Sequence, residues 1–294
     1  ISNDLCSLRA SFERNCIVVK ISFDCNGHKI KHEFIRSKIK VRQNLTYSEV
    51  QEAIDGNPNK KTQALSKSVL IPIWNAYKII VDHQTNNPLN LNFLEHKIQV
   101  SKKTSDISII AIKQLKTHHL IECFMVLANI CAAESLNEKF PSVFRVHEPP
   151  SKEKLTRLSH ALNAVKLNAL PEKLNNQEYL NSILSKNKQV SEYVNMSILK
   201  SMSQAYYSNK NAGHFGLDLE FYTHFTSPIR RYSDIIVHRA LHAVHNWKDE
   251  NHFKINDASE LEKQARHLSH TERRSMVVER ETNDRYIAEY LKKD

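Results

Sequence analysis

Glycine is scarce in this chain. Only Gly27, Gly56, Gly213 and Gly216 occur in 294 residues. Neither a G-x-x-x-x-G-K-[ST] loop nor a G-x-G-x-x-G turn can be assembled from them, which argues against P-loop and Rossmann nucleotide enzymes. Paired cysteines are lacking too: Cys6, Cys16, Cys25, Cys123 and Cys131 are scattered, with no C-x-x-C. An odd count without framework spacing predicts reduced thiols and a cytoplasmic location. No apolar run approaches about 20 residues, so no membrane span is expected. No signal peptide is recognisable. Aspartates are isolated from one another, with no D-x-D or D-D pair. Two-metal phosphodiester chemistry needs several carboxylates close together, and the local sequence offers no such cage. There is no G-x-S-x-G nucleophile elbow either.

What is present is a basic, globular composition. Hydrophobic residues make up 40% and charged residues 25%, which predicts a folded chain of one large domain or two small ones. The net charge of +10 and pI of about 9.3 favour an anionic partner such as nucleic acid. The chain opens at Ile1 with residues that read as the inside of a domain. A fragment, a processed product or one half of a split protein is therefore expected.

The pattern of elements predicts a mixed α/β fold, strands first and helices later. Residues 15–23 alternate and are β-branched, Asn26-Gly27 is a hairpin turn, and KIKHEFIRSKIKV follows as a second strand. LTYSEVQEAIDG reads as a helix with a Thr46/Glu49 capping box and a stop at Gly56. A helix is expected over about 64–83, extended chain over 86–101, and a buried helix from about 118. Ser151 should cap another helix, with two more over 175–186 and 191–206. A helix should open at Pro228, and a long charged one should run over 258–292.

The most informative stretch is FYTHFTSPIRRYSDIIVHR, residues 221–239. Ser227 suits an N-cap and Pro228 the first helical position. Arg230 and Arg231 then fall in the first turn, where cations oppose the helix dipole by ~0.3–1 kcal/mol each. Free N–H groups with guanidinium forks would make an anion site, with phosphate the natural ligand. The competing reading pairs the arginines with acids such as Asp234. His238, His242 and His245 share one helix face and could be a metal face, but no H-E-x-x-H accompanies them. Among 16 histidines, a structural role is the better reading.

The run G-H-F-G-L-x-L-x-x-Y-T-H-F-T-S-P-I-R-R-Y-x-D-x-x-x-H-R, from Gly213 to Arg239, resembles the signature of the ribonuclease II / RNB family. In this stretch the resemblance is somewhat greater to the ribonuclease R type than to the ribonuclease II type. SNDLCSLRASFERNCIVVKISFD, IRSKIKVRQNLTYSEVQEAI, LIECFMVLANICAA, RVHEPPSKEKL and RRSMVVERETNDRYIAEYL resemble further family segments, so the likeness spans the chain. It implies the later part of an RNB catalytic domain over 1–294. It also implies hydrolytic 3′→5′ exoribonuclease activity on single-stranded RNA, releasing nucleoside 5′-monophosphates with Mg²⁺.

By that resemblance Arg230 matches the catalytic arginine at the scissile phosphate, Arg231 its basic neighbour, and Tyr47 a cavity tyrosine near the 3′ end. Glu279 matches an acid that helps hold the terminal nucleotide. Glu122 matches the first acid of a Glu-Glu pair whose second member is Cys123 here. A base-stacking aromatic falls near Leu91, unless Phe93 substitutes for it, and stacking is worth ~1–3 kcal/mol per base. His224 and Ser227 are further RNA-binding candidates inside the signature. The family's aspartate cluster, the Mg²⁺ ligands, falls upstream of the L-C-S-L segment with which this chain starts. The chain alone is therefore expected to be inactive or nearly so, needing an upstream RNB fragment as partner. The alternative is an inactive remnant that only binds RNA.

Overall fold

The computed structural model describes residues 2–91, 93, 95–101, 106–112, 114–137, 139–186, 191–247 and 257–292. The fold is mixed α/β, as expected. The chain divides into two compact units, each interleaved along the sequence. Unit 1 takes Ile1–Thr85, Gln114–Leu136 and Thr223–Trp247; unit 2 takes Asn86–Lys113, Asn137–Tyr222 and Lys248–Asp294.

Unit 1 begins with the predicted hairpin. β1 (Glu13–Phe23) and β2 (Lys29–Lys40) pair antiparallel, with Val19 opposite Phe34 and Ile17 opposite Arg36. Gly27 closes the turn at φ +78°, and a Cβ there would lie 2.7 Å from the Ile79 carbonyl oxygen. α1 (Tyr47–Ile54) opens on the predicted capping box: Glu49 N–H donates to Thr46 Oγ1 at 3.2 Å, and Thr46 N–H donates to the Glu49 carboxylate at 2.8 Å. Lys61 also binds that carboxylate, and together these bonds hold it down to about 2.

The helix expected over 64–83 is broken. A short α2 (Gln63–Leu65) passes into a π-turn over Ser66–Leu70 before α3 (Ile71–Asp82). Pro72 has no N–H to donate to the Ser68 carbonyl, so a regular α-ladder cannot run through.

α4 (Lys116–Leu136) is the centre of unit 1, meeting α1, α3 and α8 (Tyr232–Val244). Leu120, Ala128, Cys131, Ala132 and Leu136 form its buried face. By length and composition α4 is apolar enough to cross a membrane, contrary to the expectation that no run came close. Glu122 and Glu134 interrupt the run, and in this fold part of it, including Leu120, Ala128 and Ala132, is buried, while Ile121 is exposed.

In unit 2, α5 (Lys152–Ala164), α6 (Gln177–Lys186) and α7 (Ser191–Ser201) enclose Leu158, Leu162, Leu174, Leu180, Val194 and Ile198. Ser151 caps α5 as predicted. α7 stops at Ser201 rather than 206, because Tyr206–Ser208 leave the helix to form β6 against β5 (Phe144–Val146). The extended stretch contains β3 (Glu95–Val100), which pairs with β4 (Ile107–Ile112). α9 (Ala258–Leu291) is capped by Asp257 and docks on β6, where Tyr207 N–H donates to Ser269 Oγ at 2.8 Å. Arg145 bridges the two elements, meeting Glu272 at 2.6 Å with its guanidinium 4.8 Å from the Tyr207 ring centre.

The Gly213/Gly216 loop of unit 2 is built on two neutral imidazoles. His147 Nδ1 accepts from Gly216 N–H at 2.9 Å, and His214 Nδ1 accepts from Leu217 N–H at 3.2 Å. A Cβ on Gly216 would come within 2.8 Å of His147 Nδ1, which explains the glycine. Burial, then the neighbouring His147 ring, which would share any positive charge, and the Arg145 charge push His214 down to about 3. Its folded pKa thus lies below the ordinary value, so the unfolded chain takes up this proton first. Stability from His214 is complete above pH ~6.5 and falls toward pH ~3, by ~1.4 kcal/mol per unit. Hydrogen exchange of residues 213–219 is expected to report ~2 kcal/mol less protection at pH 5 than at pH 7. His214→Gln should flatten that dependence; an unchanged slope would show that His214 is not its source.

Candidate functional site

The turn before α8 is where the structure departs most from the sequence reading. α8 starts at Tyr232, not at Pro228, and Arg231 occupies its N-cap in extended conformation, with no side-chain cap. Residues 228–230 form a turn in which the Ser227 carbonyl accepts from Arg230 N–H (3.2 Å) and Arg231 N–H (3.1 Å). Ser227 therefore acts through its backbone and is not a hydroxyl cap. Neither arginine sits in the first turn of the helix.

The reason is Asp234, which is completely buried. Its carboxylate accepts from Ser227 N–H at 2.6 Å, from Arg231 Nε and a terminal guanidinium nitrogen at 2.8 and 2.9 Å, and from Ser233 Oγ at 3.1 Å. Four donors converge on one carboxylate, and the fork pairing is the strong, directional kind. The carboxylate falls in the first turn of α8, where the dipole favours an anion. Arg231 is thus the paired arginine of the alternative reading. Arg230 is exposed, and among the described residues its side chain makes no hydrogen bond or ion pair. The turn divides the pair into a structural arginine and an available one.

Behind the turn lies an aromatic layer. Phe225 N–H donates to buried Asn129 Oδ1 of α4 at 2.8 Å, and His238 stacks on Phe225 at 4.6 Å while Nε2–H donates to its carbonyl at 2.8 Å. His245 stacks on Trp247 at 5.0 Å, and His242 meets the same ring edge-on. The histidine face is therefore packing around Phe225 and Trp247. His224 is half-buried beside it. Asn129 was not singled out from the sequence, although a lone amide within LANICAA was the available signal.

The α1–α4 junction gathers a second set. Tyr47, 45% exposed, stacks on His118 with ring centres 4.1 Å apart. Its carbonyl accepts from Thr117 Oγ1 at 3.1 Å, and His118 Nδ1 accepts from Leu115 N–H at 3.0 Å. Glu122 lies one turn along α4, exposed, 3.5 Å from His119. Cys123 is no surrogate acid, because burial and Glu122 push its thiol up to about 11. His118 is a residue the sequence reading missed.

The remaining candidates lie in unit 2. Leu91 packs against the α5–α7 core, so it is not positioned as an open stacking surface, whereas Phe93 is 39% exposed. Glu279 is exposed on α9.

One group of metal-capable side chains occurs among the described residues: His32, Cys131 and Glu134, with donor atoms within 4.8 Å of one another. Lys29 Nζ hydrogen-bonds Glu134, so an internal cation is already in place, and burial raises the Cys131 thiol to about 11. His32 Nε2 meets Ser135 Oγ at 2.7 Å. This set ties β2 to α4 and does not fit Mg²⁺, which demands hard oxygen ligands.

This basic α/β scaffold locks Arg231 onto a buried carboxylate and leaves its neighbour Arg230 exposed. The chain belongs to the RNB domain family, whose sequence model matches residues 1–246. It is 32% identical to ribonuclease R of Mycoplasmopsis pulmonis over 99% of this chain and 41% of that protein. The chain thus spans about two fifths of that curated relative. It is also similar to the structure of Mycoplasma genitalium RNase R in complex with ribose-methylated single-stranded RNA. That match has a TM-score of 0.85 at 27% identity and covers 97% of this chain and 46% of the other. Yeast Ssd1, described as a pseudonuclease, shares the fold at TM-score 0.65 and 20% identity, over 89% of this chain and 32% of its own.

Proposed function

We propose that this chain is the phosphate-holding part of an RNB exoribonuclease, acting in hydrolytic 3′→5′ degradation of single-stranded RNA to nucleoside 5′-monophosphates. The observation that carries this reading is the division of labour in the 227–234 turn. Asp234 consumes Arg231, which leaves Arg230 exposed on a turn whose backbone is held by the Ser227 carbonyl. A guanidinium held this way can bind a phosphate and steady charge developing on it. It cannot generate a nucleophile. Mg²⁺ and its aspartate ligands would come from an upstream RNB segment acting as partner, and the location would be cytoplasmic. Tyr47 of unit 1 would border the 3′-terminal nucleotide, with Glu122 and His224 of the same unit as further contacts; Phe93 and Glu279 of unit 2 are separate RNA-contact candidates by the family resemblance.

The test mixes the chain with that upstream segment, Mg²⁺ and 5′-labelled single-stranded RNA. Nucleotide release from the 3′ end only when both parts are present is expected. Intact RNA in the mixture defeats the nuclease reading.

A second reading is a remnant that only binds RNA; the same fold occurs in yeast Ssd1, described as a pseudonuclease. It predicts binding with a steep salt dependence and no turnover under any complementation. Binding indifferent to salt would count against both.

A further inference from the structure

The tie between β2 and α4 is made of donor atoms that a metal ion can also take. Cys131 and Glu134 stand three residues apart on α4, so they share one face of the helix. His32 reaches them from β2, and donor atoms of the three lie within 4.8 Å of one another. Cys131 is fully buried, while the His32 and Glu134 side chains are 19% and 31% exposed. The group is thus closed at the thiol and partly open at the imidazole and the carboxylate.

The distances suit a small tetrahedral ion. His32 Nδ1 lies 3.5 Å from Glu134 Oε2. Zinc bonded to nitrogen and oxygen at ~2.0–2.2 Å in a tetrahedron sets those two atoms ~3.4 Å apart. Neighbouring nitrogen and sulfur ligands sit ~3.6 Å apart, so no gap in the group has to close by more than about 1 Å. The second ring nitrogen, Nε2, meets Ser135 Oγ at 2.7 Å. A hydroxyl there can accept from Nε2–H and so direct Nδ1 at the ion, the outer-shell bond that metal-binding histidines ordinarily make. Phe34 packs edge-on to the same imidazole at 5.8 Å.

Lys29 is the competitor. Its ammonium hydrogen-bonds Glu134, and its side chain is 23% exposed, so it can turn out to water. An ammonium brings one positive charge and cannot bond sulfur. Burial pushes the Cys131 thiol up to about 11 against the pull of Lys29. An ion that bonds the sulfur directly takes the thiolate outright. Imidazole and thiolate select zinc, whereas Mg²⁺ and Ca²⁺ demand oxygen ligands.

We propose that His32, Cys131 and Glu134 form a zinc site, with water as the fourth ligand. Bonds form to Nδ1, Sγ and a carboxylate oxygen; the Cys131 proton passes to solvent, and the Lys29 ammonium leaves the carboxylate. Thiolate and carboxylate then balance the two charges of the ion. The site pins β2 to α4 behind the arginine turn. Phe34 of β2 packs on Phe225 at 5.3 Å, and Asn129 of α4 accepts from the Phe225 N–H at 2.8 Å. The inference stands apart from the RNA reading.

The experiment strips the full chain of metal with a chelator, then titrates Zn²⁺ against a chromophoric chelator. A parallel titration uses Co²⁺, whose spectrum reports its ligands. One zinc per chain and a thiolate-to-cobalt charge-transfer band are expected. His32→Gln and Glu134→Gln should each weaken zinc binding by about 10-fold or more, and Ser135→Ala by about 10-fold. Lys29→Met should tighten it. Cys131→Ser should abolish the cobalt band, while a Cys6→Ser/Cys25→Ser control, which removes the two exposed thiols, should keep it. A band lost in that control instead overturns the site. A wild-type chain without stoichiometric zinc overturns it too. Zinc taken up only by Lys29→Met does the same, because the ammonium then keeps the carboxylate. Circular dichroism checks each fold. Should the buried Cys131→Ser fail to fold, undiminished zinc binding by both His32→Gln and Glu134→Gln is the overturning result.

Discussion

Asp234→Ala is expected to cost unit 1 about 3 kcal/mol, the order for breaking a buried charge pair by removing one partner. The carboxylate is fully buried, and four donors depend on it. Alanine leaves the Ser227 N–H without its acceptor and strands the Arg231 guanidinium in a largely closed position. Each orphaned donor costs ~1–3 kcal/mol, offset where Arg231 can turn its head to water. The measurement is direct, because both tryptophans, Trp74 and Trp247, lie in unit 1. Their fluorescence in a denaturant titration should show a lower midpoint with an unchanged slope. Arg231→Ala should cost less, since the acid keeps its other donors. The double substitution should cost well under the sum of the two, because the groups share one network. A loss below about 1 kcal/mol for Asp234→Ala would show that the turn is held by something else.

That dependence on Asp234 explains where sequence reading succeeded and failed. The Thr46/Glu49 box, the Ser151 cap and the Asn26-Gly27 turn were legible because each is a contact between residues a few positions apart. The start of α8 was not. Ser-Pro preferences place it at Pro228, but a buried carboxylate seven residues after Ser227 captures the Ser227 N–H and pulls Arg231 into extended conformation. Burial cannot be read from one sequence, and burial is what gives Asp234 priority over local propensity. The same holds for Tyr47 on His118 and Phe225 on Asn129, pairs distant along the chain. Leu91 and Phe93 differ only in which of them the α5–α7 core absorbs, a matter of packing that composition does not express. The family signature located the residues; the fold separated the structural arginine from the available one.

Arg230→Ala, assayed in the chain reconstituted with its proposed upstream partner and Mg²⁺, is expected to abolish cleavage, by about 100-fold or more. The affinity for single-stranded RNA should fall by only a few-fold, the scale of one phosphate contact among many. The asymmetry follows from position. Arg230 projects from a turn whose backbone is fixed by the Ser227 carbonyl and, through its neighbour, by Asp234, so its planar fork is presented from one place on the surface where charge developing on a phosphate could be met. Arg230→Lys should recover part of the binding but little of the rate, since an ammonium carries the charge without the planar fork. Arg231→Ala separates position from charge: it removes the same charge, but from a residue already committed to Asp234. Its rate loss should therefore track the misplacement of the turn and the loss of stability seen in tryptophan fluorescence, whereas Arg230→Ala should leave that fluorescence midpoint unchanged. An Arg230→Ala chain that cleaves at near-normal rate would remove Arg230 from the reaction, and a midpoint that drops with it would reassign the residue to the fold.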